Sequence, residues 1–133
     1  MRILILFSLI ISFSLGNDFQ GYMSSLEQQI KKNEPSFKGF NYKRGEKIFT
    51  SKHIGKKGKK VSCTSCHGID LTKEHKNFFT GKVIEPLSPK ANSKRLTNVK
   101  DVRKWLRRNF KDVYNRVGTP KEKGDVLTYI MNK

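Results

Sequence analysis

The chain has 133 residues, a formal charge of +17 and only two cysteines. That length bounds it to one domain. Beyond the first 16 residues no apolar run approaches the roughly 20 residues that a membrane-spanning helix needs, and two cysteines three residues apart exclude a disulfide-stapled scaffold, because the loop they would close is tiny.

The chain opens with Met1-Arg2 and an apolar run from Ile3 to Leu15, with the small residues Ser14 and Gly16 before Asn17. A positive start, an apolar core and small residues near its end read as a secretory signal peptide over 1–16. A retained anchor has the same composition, but the run is short for a span. The expectation is therefore an exported protein, periplasmic in a bacterial cell, with one domain over 17–133.

Phe19, Tyr22, Met23, Leu26 and Ile30 recur at helical spacing and predict an amphipathic helix from about Phe19 to Lys32, broken by Pro35 and Gly39. A second helix is expected from about Tyr42 to Ser51. The lysine- and glycine-rich stretch from Lys52 to Lys60 reads as a solvated loop leading into Cys63-Thr64-Ser65-Cys66-His67.

Cys-x-x-Cys-His is the attachment signature of haem c. Two sulfurs at this spacing bond the two vinyl groups on one porphyrin edge, and the adjacent histidine falls under the iron, where imidazole nitrogen is a good axial ligand. Cys63 and Cys66 are thus the expected covalent sites for one haem c, and His67 the expected proximal iron ligand. A thioredoxin-like pair would need a βαβ setting, and no alternating strands flank the segment. A zinc site would need four ligands, and only His53 and His75 lie beyond the motif, at irregular spacing. Both sit in polar, lysine-rich sequence and read as solvated surface histidines.

From Thr80 to Asn98 the chain is irregular, with Gly81, Pro86 and Pro89. So long a loop in so small a domain is expected to wrap one face of the cofactor. Asn98 can cap a helix running to about Asn115, whose apolar stripe is Val99, Val102, Leu106, Phe110 and Val113, with Trp105 beside it. Asn109 falls on that stripe. A buried amide costs a few kcal/mol unless bonded or coordinated, so Asn109 is either a core residue bonded to nearby backbone or a group facing the cofactor. Thr119-Pro120-Lys121-Glu122 is an N-cap, a proline at the first helical position and a capping-box glutamate, and it starts a last helix reaching about Asn132. The fold expected is all-α, a small class I-like cytochrome c with helices packed around one covalent haem. Of three methionines, Met1 lies in the signal segment, Met23 precedes the motif and Met131 is near the end of the last helix. None occupies the long loop where a methionine iron ligand would be expected.

Six stretches together resemble the sphaeroides haem protein family: Gly45 to Phe49, Ser62 to His67, Thr80 to Pro89, Lys94 to Thr97, Lys104 to Asn109 and Thr119 to Asp125. The resemblance covers nearly all of 17–133. It implies a monohaem class I-like cytochrome c in which Asn109 is the distal ligand of ferric iron and leaves on reduction, opening a site for oxygen, nitric oxide or carbon monoxide. An amide oxygen is a hard donor, better suited to ferric than to ferrous iron. The family often carries a cysteine directly after the asparagine and another before the capping-box threonine. Here those positions are Phe110 and Gly118, so the bridge is missing and Phe110 is left to compensate by packing. Gly45 and Phe49 resemble the first-helix pair of class I cytochromes, with Tyr129 as the aromatic partner from the last helix. Arg95 and Lys82 are candidates to neutralise the haem propionates or to form a solvated face.

Removing residues 1–16 takes only Arg2 from the charge, leaving +16. A field of that size steers an acidic partner and makes association salt-dependent. Export and a haem motif turn the basicity away from nucleic acid and towards an acidic redox protein, with peripheral contact to an anionic membrane also open. The resemblance implies a dihaem cytochrome c as electron donor. Electron transfer with small-ligand binding is the leading function. The alternative is a haem enzyme, or a gas scavenger or sensor, acting on oxygen, peroxide or nitric oxide. No distal histidine–arginine pair suited to cleaving a peroxide bond is present.

Overall fold

The computed structural model describes residues 15–133. The expected signal segment, residues 1–16, lies outside them but for Leu15 and Gly16. Five helices and four two-residue strands follow one another as α1 (Leu15–Lys31), α2 (Tyr42–Thr50), β1 (His53–Ile54), β2 (Lys60–Val61), α3 (Thr64–His67), β3 (His75–Lys76), β4 (Val83–Ile84), α4 (Val99–Tyr114) and α5 (Pro120–Met131).

The predicted stripes are the buried faces. Phe19, Tyr22, Leu26 and Ile30 of α1, and Val102, Leu106, Phe110 and Val113 of α4, are all buried. α2 crosses α5, and α1 lies against α5 and touches α4. The core between them takes Phe49, Leu71, Val126, Leu127 and Tyr129, with the half-buried Cys63 packed on it. Helices α2 and α4 start on side-chain caps. Asn41 accepts from Arg44 N at 2.9 Å, and Asn98 accepts from Asp101 N at 3.2 Å. α4 ends at Asn115 in the left-handed conformation, φ 55°.

At α5 the capping box is complete. Thr119 Oγ1 accepts from Glu122 N at 3.2 Å, and Glu122 Oε2 accepts from Thr119 N at 2.8 Å. Arg116 adds a two-pronged pair, Nη1 to Oε2 at 2.8 Å and Nη2 to Oε1 at 2.6 Å. The Arg116 hydrogen bonds outweigh burial and hold the Glu122 carboxyl below its ordinary value of 4.5. A carboxyl with a lowered folded pKa stabilises the fold above its ordinary value, and that contribution is lost as pH falls through the folded value. Glu122→Gln is therefore expected to cost about 1 kcal/mol at pH 7. The gap between the two urea midpoints should narrow as the pH is lowered below 4.5 and through the folded value.

Two elements depart from expectation. The Lys52–Lys60 stretch is not a free loop. β1 and β2 pair antiparallel, His53 with Val61 and Ile54 with Lys60, and the hairpin's Lys56 N–H reaches the Asp112 carbonyl at 3.1 Å. The Thr80–Asn98 stretch likewise has its own architecture. Val83 and Ile84 pair back onto Lys76 and His75. Leu87 N and Ser88 N both donate to the Leu71 carbonyl at 2.9 Å, and Ser88 Oγ ties the segment to the Lys133 carbonyl at 2.7 Å. Such short ladders leave no trace in hydrophobic periodicity, because they are fixed by tertiary contacts rather than by an apolar face.

Candidate functional site

α3 is a single turn, and it places Cys63, Cys66 and His67 side by side. Cys63 stands at the N-terminal end, where its carbonyl accepts from His67 N at 3.0 Å and from Cys66 N at 3.2 Å. Gly68 closes the turn at φ 72°, a backbone conformation that suits glycine. A Cβ at Gly68 would also lie 2.8 Å from the His75 ring, so that ring covers the end of the turn. Cys66 Sγ accepts a hydrogen bond from Phe78 N at 3.3 Å. Both cysteines are free and half-buried.

Burial sets the chemistry of Cys63 and His67. It pushes the Cys63 thiol up to about 12, with the neighbouring Cys66 adding to it. A thiol held neutral is inert as a redox nucleophile at neutral pH, which sets the pair apart from a thioredoxin-type site. Burial, then the charges of Arg95 and His75, brings His67 down to about 4. The imidazole is therefore neutral, the form that binds metals. Its Nδ1 is buried with no hydrogen-bond partner, and Phe49 flanks the ring at 6.1 Å between centroids. No group of three or more His, Cys, Asp or Glu side chains that could hold a metal ion occurs among the described residues. Two free cysteines and one neutral imidazole on a single turn fit the attachment of haem c at this segment.

Asn109 is half-buried on α4, between the buried Leu106 and Phe110. Both of those neighbours belong to the core cluster on which Cys63 packs. Trp105, one turn before Asn109, is 49% exposed, with Lys104 Nζ 5.2 Å and the Arg108 guanidinium 5.4 Å from its ring. The Phe110 ring lies directly against Gly118, at the two positions where the family often has cysteines. Arg95 donates to the carbonyls of Pro86 at 2.9 Å and Glu85 at 2.9 Å, so it braces the loop. Lys82 is exposed.

Sequence reasoning missed two features. His53 is not a solvated surface histidine. Its ring stacks on Tyr114 at 4.1 Å, and its Nε2 is buried without a hydrogen-bond partner. His75 is exposed as expected. Arg44 and Asp125 form the other unforeseen pair, with Nε to Oδ2 at 2.7 Å and Nη2 to Oδ1 at 3.0 Å. The only sequence signal for it was an aspartate on an otherwise apolar stretch of α5.

Helices packed on a Cys-x-x-Cys-His turn, with Gly45 and Phe49 of α2 against Tyr129 of α5, define a small class I-like cytochrome c. A family model described as Domain of unknown function (DUF1924) matches residues 35–130. The chain is 44% identical over 87 residues to the cytochrome c-type protein SHP of Cereibacter sphaeroides, covering 65% of this chain and 67% of that protein. To cytochrome c'' of Methylophilus methylotrophus it is 29% identical over 99 residues, 74% of this chain and 69% of the relative. The crystal structure of oxidised cytochrome c'' superposes with a TM-score of 0.77 at 25% identity, covering 88% of this chain and 95% of that one. Oxidised SHP, described as an oxygen-binding cytochrome c, gives 0.72 at 34% identity, covering 90% and 97%. The chain belongs to the DUF1924 family and, with SHP, to the sphaeroides haem proteins.

Proposed function

We propose that this chain is an exported monohaem c-type cytochrome whose distal iron ligand, Asn109, is displaceable. The observation that carries the reading is the single turn of α3. It sets Cys63, Cys66 and His67, whose Nδ1 is buried, together in the order that haem c attachment requires. In this reading Cys63 and Cys66 hold the group through thioethers, His67 supplies the proximal nitrogen, and Asn109 supplies an amide oxygen from α4. Bound there, haem c would supply a one-electron ferric/ferrous couple and a position open to exchange. The Asn109 oxygen, a hard and weak donor, would suit the ferric state better than the ferrous one, so that reduction would open the site to a small diatomic ligand. Oxygen is favoured by the SHP relative, described as an oxygen-binding cytochrome c.

The surrounding residues serve that exchange. Burial keeps the His67 imidazole neutral and ready to donate. Trp105 and Asn109 are four residues apart, on one helix face, so the indole borders the amide's exit. With +16 remaining after residue 16, lysines and arginines steer an acidic redox partner in the periplasm, for which a dihaem cytochrome c is the candidate donor.

The test is carbon monoxide binding. The reduced native protein is expected to bind it promptly and in a single phase, because Asn109 has already left, and Asn109→Ala should bind it at nearly the same rate. Slow binding in the native protein, made fast by Asn109→Ala, would contradict release on reduction. Sustained turnover of peroxide or nitric oxide would move the assignment to a haem enzyme.

A further inference from the structure

The C-terminal half of α4, which carries Asn109, is fastened on two sides. On one side is the β1–β2 hairpin. Lys56 N–H donates to the Asp112 carbonyl, and Gly55 approaches so closely that a Cβ there would lie 2.1 Å from the same oxygen. The His53 ring stacks on Tyr114, whose hydroxyl donates to the Ile48 carbonyl at 2.7 Å. On the other side is the link between α4 and α5. There Gly118 lies under the Phe110 ring, and a Cβ on it would be 2.7 Å from Cδ2 and 2.8 Å from Cε2 and Cγ. Gly118 is buried, and Phe110 is 4% exposed with Tyr114 stacked at 5.4 Å.

We propose that the seat of the Phe110 ring on Gly118 is the positioning contact for Asn109, fixing where the amide of the preceding residue stands relative to the haem. The proposal rests on the reading of Asn109 as distal ligand. Its physical basis is that interiors are close-packed and transmit small displacements. Asp112 is fixed by the hairpin, so a displaced Phe110 ring cannot be absorbed by sliding the C-terminal end of α4. The displacement must appear at the preceding residue, Asn109. Asparagine has a short side chain with two torsions and cannot follow its backbone for long, and an oxygen ligand tolerates little misplacement.

Gly118→Ala tests this without backbone strain, because Gly118 does not adopt a positive φ. The control is Gly124→Ala, whose Cβ would fall 2.0 Å from the edge of the half-buried Phe40 ring, a closer clash, on α5, than the one at Gly118. Three readouts are taken on the haem-loaded proteins: thermal midpoint, ferric absorption spectrum, and amide hydrogen exchange at Asn109 and Phe110. Both variants are expected to lower the midpoint. Only Gly118→Ala should move the ferric spectrum towards that of Asn109→Ala and speed exchange, by roughly tenfold, equivalent to about 1.4 kcal/mol. If Gly118→Ala yields no folded protein, Phe110→Leu unseats the ring without crowding and should give the same spectral change. A native spectrum in the folded variant, or the same change in Gly124→Ala, overturns the proposal. If Asn109→Ala leaves the ferric spectrum unaltered, the ligand reading itself is overturned, and the positioning role with it.

Discussion

Gly45→Ala is expected to remove a large part of this protein's stability. The Cβ it adds would lie 2.0 Å from the Asp125 carbonyl oxygen, 2.6 Å from its carbon and 2.9 Å from Tyr129 Cβ. Two of these atoms are helix backbone, which has no rotamer to change, so α2 and α5 must separate. Separation opens the interface that holds Phe49 and Tyr129, whose rings meet at 5.2 Å. The cost of overpacking is about 1–3 kcal/mol when side chains can give. Here they cannot, and a loss of at least about 3 kcal/mol is expected, against roughly 5–15 kcal/mol for a whole domain. At about 4 °C per kcal/mol, the thermal midpoint should fall by roughly 12 °C or more. A midpoint within a few degrees of the native value would show that the two helices can part freely.

The second large effect is expected from the same residue pair of elements. Asp125 is 1% exposed, and its carboxylate is satisfied by two bonds from Arg44 and one from Asn41 N at 2.7 Å. Since Asn41 also caps α2, this carboxylate fixes the start of α2 on the flank of α5. The Asp125 carbonyl faces Gly45 at the same point. Arg44→Met keeps the aliphatic stem and removes the charge, leaving a buried carboxylate with one N–H. Breaking a buried pair costs about 3–5 kcal/mol. The Arg44 side chain is 45% exposed, so solvent screening brings the expectation down to about 2–3 kcal/mol. Asp125→Asn added to Arg44→Met should cost less than the sum of the two single changes, because it removes the stranded charge. Additive losses in urea melts would mean that Arg44 contributes by packing alone.

How far the sequence reveals this architecture depends on the range of the interactions. Helix α4 was legible because its stripe repeats over four turns, and α5 because its capping box is complete within four residues. The Cys-x-x-Cys-His turn is more local still. Gly45 was legible only through its resemblance to a known helix pair, since a glycine within a helix does not announce the backbone it meets 80 residues later. His53 was misread because its neighbours in sequence are polar and basic, whereas its neighbour in space is Tyr114. The two hairpins were invisible for the same reason, being held by Asp112 and Leu71 rather than by any pattern of their own. Asn109 falls between these cases. Periodicity puts it on the buried side of α4 but does not distinguish a core amide from an iron ligand.

That distinction is the central claim, and the ferric absorption spectrum of the haem-loaded protein, native against Asn109→Ala, tests it most directly. With Asn109 as distal ligand, the substitution changes the ferric coordination and the spectrum with it, while the reduced spectra of the two proteins coincide. Identical ferric spectra of a low-spin form would mean that another group fills the distal position. Asn109 would then be a core amide, and this chain an electron carrier with a closed iron.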